Sequence, residues 1–204
     1  FSWETQDHGQ AFGALTAEYF GADLHTIAVD GAGLTRNYAD AQTDTLADVL
    51  DVTLPSVQRG WRASKYVPDA IVVNLGVSDF WNGDPGERFE EAYVDMLTKL
   101  RRDYPEALVL VTVGPQLNGE TRDELVGSVQ GAVAKRIAGG DEKVEFIELP
   151  LADGGRRLGC DWHPGVDSQL GMANMLALKL KERLGWQQKP DLDAMLMSNV
   201  TVGR

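Results

Sequence analysis

The sequence predicts an α/β fold: a doubly wound parallel sheet with helices on both faces. Two short, almost continuous apolar runs, Ala70–Gly76 and Leu108–Val113, have the composition of strands buried on both sides in a parallel sheet. Each is followed by a longer stretch whose apolar residues recur at helical spacing. Strand and helix then keep alternating in chain order, which is the pattern of right-handed crossover units.

From Gln10 to Phe20 the residues Phe12, Leu15, Tyr19 and Phe20 fall on one helical stripe, and Gly21 stands where a helix should stop. Leu24–Val29 alternates and then runs apolar into Asp30-Gly31-Ala32-Gly33, a strand entering a tight loop. Residues 34–68 predict a short helix near Thr45–Val52, then a loop broken by Pro55, Gly60 and Pro68, with Trp61 and Tyr66 packed on the body. Ala70–Gly76 is the clearest strand and is expected to be central. A helix follows over Pro85–Asp103 with Phe89, Tyr93, Met96, Leu97 and Leu100 on its apolar stripe. Next come a strand over Leu108–Val113, a helix over Thr121–Ala138, a strand over Val144–Leu149 and a helix over Val166–Leu184. Beyond Pro190 the pattern is weak, with a short amphipathic piece around Leu192–Met197. No repeat or linker interrupts the chain, so residues 1–204 are expected to form a single domain.

Composition narrows the function. With 19 Lys and Arg against 31 Asp and Glu, the net charge of −12 repels phosphate backbones and anionic lipid, so neither nucleic acid nor a membrane surface is an expected partner. A neutral substrate suits the charge better. Cys160 is the sole cysteine, which rules out an internal disulfide and leaves the compartment open, a secreted bacterial protein being compatible with it. Three scattered histidines and one cysteine give no metal-ligand spacing, so neither a metal nor another cofactor is expected. His8 and His25 read as structural or exposed. Asn199-Val200-Thr201 matches a glycosylation sequon, a short motif common by chance.

In a doubly wound sheet the site lies outside the carboxyl ends of the strands. The relevant loops are therefore Asp30–Arg36, Gly76–Trp81, Gly114–Asn118 and Gly159–His163. In the last, Asp161 and His163 are two residues apart, so in an extended or turn backbone both side chains project to one side. A carboxylate that orients an imidazole makes a general base. A solvated turn would look the same. Gly31 and Gly33 permit close approach of backbone to a ligand, or are an ordinary turn; the third glycine of a dinucleotide fingerprint is absent. Ser78 could donate to an oxyanion, act as a nucleophile or cap a turn. A nucleophile elbow would need glycine where Phe80 stands.

Read together, four stretches resemble the SGNH (GDSL-type) hydrolases, and among them the family 2 carbohydrate esterases that deacetylate xylan and other acetylated sugars. They are Asp30–Tyr38, then Val73–Phe80 with Gly83-Asp84-Pro85, then Thr112–Pro115, and Gly159–Pro164 followed by Met172-Ala173. They span nearly the whole chain, in order. The resemblance implies the flavodoxin-like version of the fold, no cofactor and an acetylated carbohydrate as substrate. It makes His163 the general base, Asp161 its orienting partner, the Gly31 amide an oxyanion donor and Trp162 an aromatic wall for the sugar.

Two departures qualify it. The family carries an oxyanion-hole Asn where this chain has Ser78, whose shorter hydroxyl reaches less far. The family's Gly-Asp-Ser block, with the nucleophile and the first strand, is absent. The expectation is that a separate segment of the same protein, upstream of Phe1, supplies both. The alternative is a sugar-binding or scaffold version of the fold without catalysis, and a third reading makes Ser78 itself the nucleophile.

Overall fold

The computed structural model describes residues 6–52, 60–149 and 158–189. Pro55, the Leu192–Met197 stretch and the Asn199 sequon lie outside them. The chain divides into two compact units, Ile27–Glu148 and Phe1–Thr26 with Leu149–Arg204.

The first unit holds three parallel strands, β1 (Ala70–Asn74), β2 (Leu108–Val113) and β3 (Val144–Glu148), in the order β1-β2-β3. Ala70 pairs with Leu108, and Val109 with Val144. Every residue of β2 is buried, as its unbroken Leu-Val-Leu-Val-Thr-Val run requires. Helices α2 (Leu46–Val49), α3 (Val77–Phe80), α4 (Glu87–Asp103) and α5 (Gly119–Ala138) complete the unit, with α5 packed on β2, β3 and α4. The fold is thus α/β, a parallel sheet flanked by helices, as the sequence predicts.

Helix α4 buries Phe89, Tyr93, Met96, Leu97 and Leu100, the stripe its periodicity marks. These join Phe80, Val109, Val111, Val113, Leu125 and Val129 in one core. Phe80 meets Phe89 edge-on with ring centres 5.0 Å apart. Each such side chain contributes about 1.5–3 kcal/mol through burial. Acidic Glu87 and Glu90 open α4 and basic Arg101 and Arg102 close it, complementing the helix dipole.

At the amino ends of the strands, the Arg101 guanidinium donates to the Asp141 carboxylate at 3.0 Å and to the carbonyls of Ala107 at 2.6 Å and Lys143 at 2.9 Å. Arg136 donates to the other Asp141 oxygen at 3.1 Å. One carboxylate therefore ties α4, α5 and the entries to β2 and β3. Burial pulls the Asp141 carboxyl upward, but Arg101, Arg136 and the Lys143 amide outweigh it and hold it below its ordinary value.

In the second unit, α1 (Phe12–Phe20) packs along α6 (Val166–Leu184). The Phe12 amide donates to Gln169 Oε1 at 2.8 Å, and Lys181 Nζ donates to the Tyr19 hydroxyl at 2.7 Å. Gly21 ends α1 in the left-handed region at φ 64°, as its position predicts.

The structure corrects three expectations. Leu24–Val29 is not a strand: Leu24, Ile27 and Val29 are exposed, and no described strand runs beside them. Apolar alternation makes a strand only where a neighbour completes its hydrogen bonds. For the same reason β1 is an edge strand with half-buried residues rather than the central one, since no described strand lies on its outer side. Finally, the turn after β1 tightens into α3, because Gly76 reaches φ 117° and its carbonyl accepts from the Phe80 amide at 2.9 Å. Any Cβ at Gly76 would collide with Leu125.

Candidate active site

In the sheet unit, the structure brings the Gly31–Tyr38 loop against the turn that carries Ser78. The residue that joins them is Asp79, which is fully buried. Its Oδ2 accepts from the Leu34 amide at 2.8 Å; Oδ1 accepts from the Thr35 amide at 2.7 Å, the Thr35 hydroxyl at 2.8 Å and the Arg36 amide at 3.0 Å. Arg36 returns the contact, its guanidinium donating to the carbonyls of Asp79 and Gly83. A buried carboxylate needs hydrogen-bond donors in place of water, and this one has them on both oxygens.

Asn37, also buried, closes the loop from the other side. Its Oδ1 accepts from the Gly33 amide at 3.1 Å, and its Nδ2 donates to the Thr43 carbonyl at 2.8 Å. The Tyr38 amide donates to the Gly31 carbonyl at 2.8 Å, and Gly31 adopts φ 69°. Gly33 is required for space: a Cβ there would overlap the Arg36 carbonyl oxygen. The half-exposed Tyr38 ring rests on Trp81 with centres 5.0 Å apart. Asn82 donates to Asp40 at 3.1 Å, a further tie between the two loops. Ser78 sits half-buried on α3, one residue before Asp79.

Beyond β2, Arg122 is buried and donates to the Gly114 carbonyl at 3.1 Å and to Glu148 at 2.7 Å, fixing the Gly114-Pro115 turn to the end of β3.

In the other unit, Leu158 and Pro164 form an antiparallel bridge that closes a small loop. Within it, Cys160–Trp162 makes a single 3-10 turn; the Gly159 amide donates to the His163 carbonyl at 2.6 Å and the His163 amide to the Cys160 carbonyl at 3.0 Å. Trp162 occupies the left-handed region at φ 63°, uncommon for a bulky residue, and its side chain is 65% exposed. His163 follows in extended conformation and is also exposed. Asp161 lies on the same turn; its side chain is outside the described residues. The structure thus groups Gly31 with Ser78 in one unit, and Asp161, Trp162 and His163 in the other. Sequence reading missed Asp79, Arg36 and Asn37 as organising residues. An Asp directly after Ser78, at the head of a helix, was the available signal, but its four donors lie more than forty residues upstream.

Among the described residues no three His, Cys, Asp or Glu side chains converge as a metal site would require, and no helix is long and apolar enough to cross a membrane.

The GDSL-like Lipase/Acylhydrolase family matches residues 2–169, and the chain belongs to that family. Cellulase/esterase CelE of Acetivibrio thermocellus is 36% identical over 187 residues, covering 91% of this chain and 23% of CelE. An acetylxylan esterase / glucomannan deacetylase of Cellvibrio japonicus is 31% identical, covering 90% of this chain and 52% of that protein. The structure of a family two carbohydrate esterase from Clostridium thermocellum in complex with cellohexaose superposes with a TM-score of 0.89 at 35% identity, over 92% of this chain and 58% of the other. The chain therefore spans about half the length of the Cellvibrio relative and less of CelE.

Proposed function

We propose that this chain is the larger part of the catalytic domain of a serine esterase that removes small acyl groups, acetyl above all, from carbohydrates such as acetylated xylan. The observation that carries the proposal is the closed turn that sets His163 beside the exposed indole of Trp162, in a chain of this family. The nucleophilic serine lies outside these 204 residues, on a segment that also pairs with β1 on the side where no described strand lies.

In this reading His163 takes the proton from the serine hydroxyl as that oxygen attacks the ester carbonyl, and Asp161 stabilises the imidazolium that forms. The carbonyl oxygen becomes an oxyanion, which the Gly31 amide and the Ser78 hydroxyl stabilise by hydrogen bonds. Collapse of the tetrahedral intermediate expels the sugar hydroxyl, protonated by His163; water then attacks the acyl-enzyme by the same route and releases acetate. Trp162 offers the sugar ring an apolar face. No cofactor is needed.

A second reading rests on Ser78. A hydroxyl in place of the family amide is a weaker oxyanion donor, which suits a sugar-binding protein that has left catalysis behind.

The two separate by activity. In the full protein, His163→Ala lowers hydrolysis of a small acetyl ester by at least about a hundredfold if His163 is the general base. Undiminished hydrolysis removes it from that role.

A further inference from the structure

We propose that Asp79 is a positioning residue for the oxyanion hole, acting through the loop that bears the Gly31 amide. The inference rests on the esterase reading above and names the part of the chain that makes an amide at Gly31 usable.

An oxyanion donor stabilises the transition state only if it is already aimed when charge develops, because reorienting it during the reaction costs the energy the hydrogen bond would return. A backbone amide on a glycine-rich loop does not hold its aim by itself. Gly31-Ala32-Gly33 lies in neither strand nor helix, and the Ala32 amide donates to the Val29 carbonyl at 3.1 Å. The Leu46 amide holds the Gly33 carbonyl at 2.8 Å, and the three residues after Gly33 anchor the loop further, their amides all converging on one buried carboxylate. From there the geometry runs back to Gly31 by two short steps: Asn37 grips the Gly33 amide, and the Tyr38 amide grips the Gly31 carbonyl. The peptide plane carrying the Gly31 carbonyl is thereby set, and with Gly31 at φ 69° that plane is the support next to the one that carries its amide.

Asp79 suits the task because of its support. It lies on the first turn of α3, whose neighbours Gly76 and Phe80 are buried in the core, and Phe80 packs edge-on against Phe89 of α4. The carboxylate is thus a rigid post set in the core. Its four donors all come from the loop, three on Oδ1 and one on Oδ2, so the carboxylate faces the loop it holds.

The test uses the full protein. In Asp79→Asn the best orientation of the amide keeps Oδ1 and its three donors and turns the NH2 group on the Leu34 amide, donor against donor. The variant should lose at least about tenfold in kcat on a small acetyl ester, a fraction of what removing an oxyanion donor outright costs. Three further readings distinguish positioning from loss of structure. KM should stay within about twofold, affinity for a tetrahedral boronate should fall in parallel with kcat/KM, and hydrogen exchange should quicken at Leu34, Thr35 and Arg36. Should Asp79→Asn fail to fold, Thr35→Val removes one of the four donors alone and should lower kcat several-fold at unchanged KM. A folded Asp79→Asn with undiminished kcat and boronate affinity overturns the positioning role, as does undiminished kcat in Thr35→Val. If the unmutated protein hydrolyses no ester and takes up no serine-directed phosphonate, the esterase reading fails and the proposal with it.

Discussion

Gly33 lies so close to Asp79 that a Cβ on it would stand 2.6 Å from the carboxylate Oδ2. Backbone and carboxylate occupy the space a side chain would need. Gly33→Ala should therefore destabilise the protein by about 1–3 kcal/mol through overpacking, read as a lower denaturation midpoint at unchanged slope. It should also lower esterase activity beyond what the loss of folded protein accounts for.

Tyr93 is the opposite case, a buried group whose hydroxyl has no hydrogen-bond partner among the described residues. Burial, reinforced by the charge of Asp79, pushes its phenol far up and keeps it neutral. Because the hydroxyl is desolvated without return, Tyr93→Phe should leave stability unchanged or raise it by up to about 1 kcal/mol, measured by denaturant unfolding. A loss above that would mean the hydroxyl has a partner in solution.

The Asp141 cluster predicts acid sensitivity. Its carboxyl is held below its ordinary value of 3.8 in the folded protein. Its contribution is therefore complete well above that value, where both states are ionised, and is lost as the pH falls through 3.8 toward the lower folded value. Thermal unfolding from pH 6 to pH 2.5 should show a steep loss at the acid end. Arg101→Met, which removes one of the two guanidinium partners, should lower stability near neutral pH by on the order of 2–3 kcal/mol and flatten that acid loss.

Ser78 allows a gain-of-function prediction. Ser78→Asn restores the longer amide donor and should raise kcat on acetyl esters about tenfold or more, with little change in KM. No gain would mean that the turn at α3 does not aim position 78 at the oxyanion.

Much of this was legible in the sequence because the helices and buried strands carry their own periodicity. The boundaries of β2 and α6 coincide with those the apolar pattern predicts, and α4 starts within two residues of its expected position. Leu24–Val29 misled because strand formation depends on a neighbour, and no local pattern states whether one is present. The clamp at Asp79 was hidden for a related reason. Its partners Leu34, Thr35 and Arg36 contribute mainly backbone amides, which every residue but proline has, so nothing in their side chains announces the contact. Trp162 and His163 were visible as a motif, whereas the left-handed φ that turns the indole outward is a property of the closed loop from Leu158 to Pro164.

The most direct test of the central claim is covalent labelling of the full protein with a serine-directed phosphonate, read by intact mass and peptide mapping. A single adduct is expected on a serine outside residues 1–204, formed far more slowly in His163→Ala. Absence of any adduct, or an adduct mapped to Ser78, would contradict it.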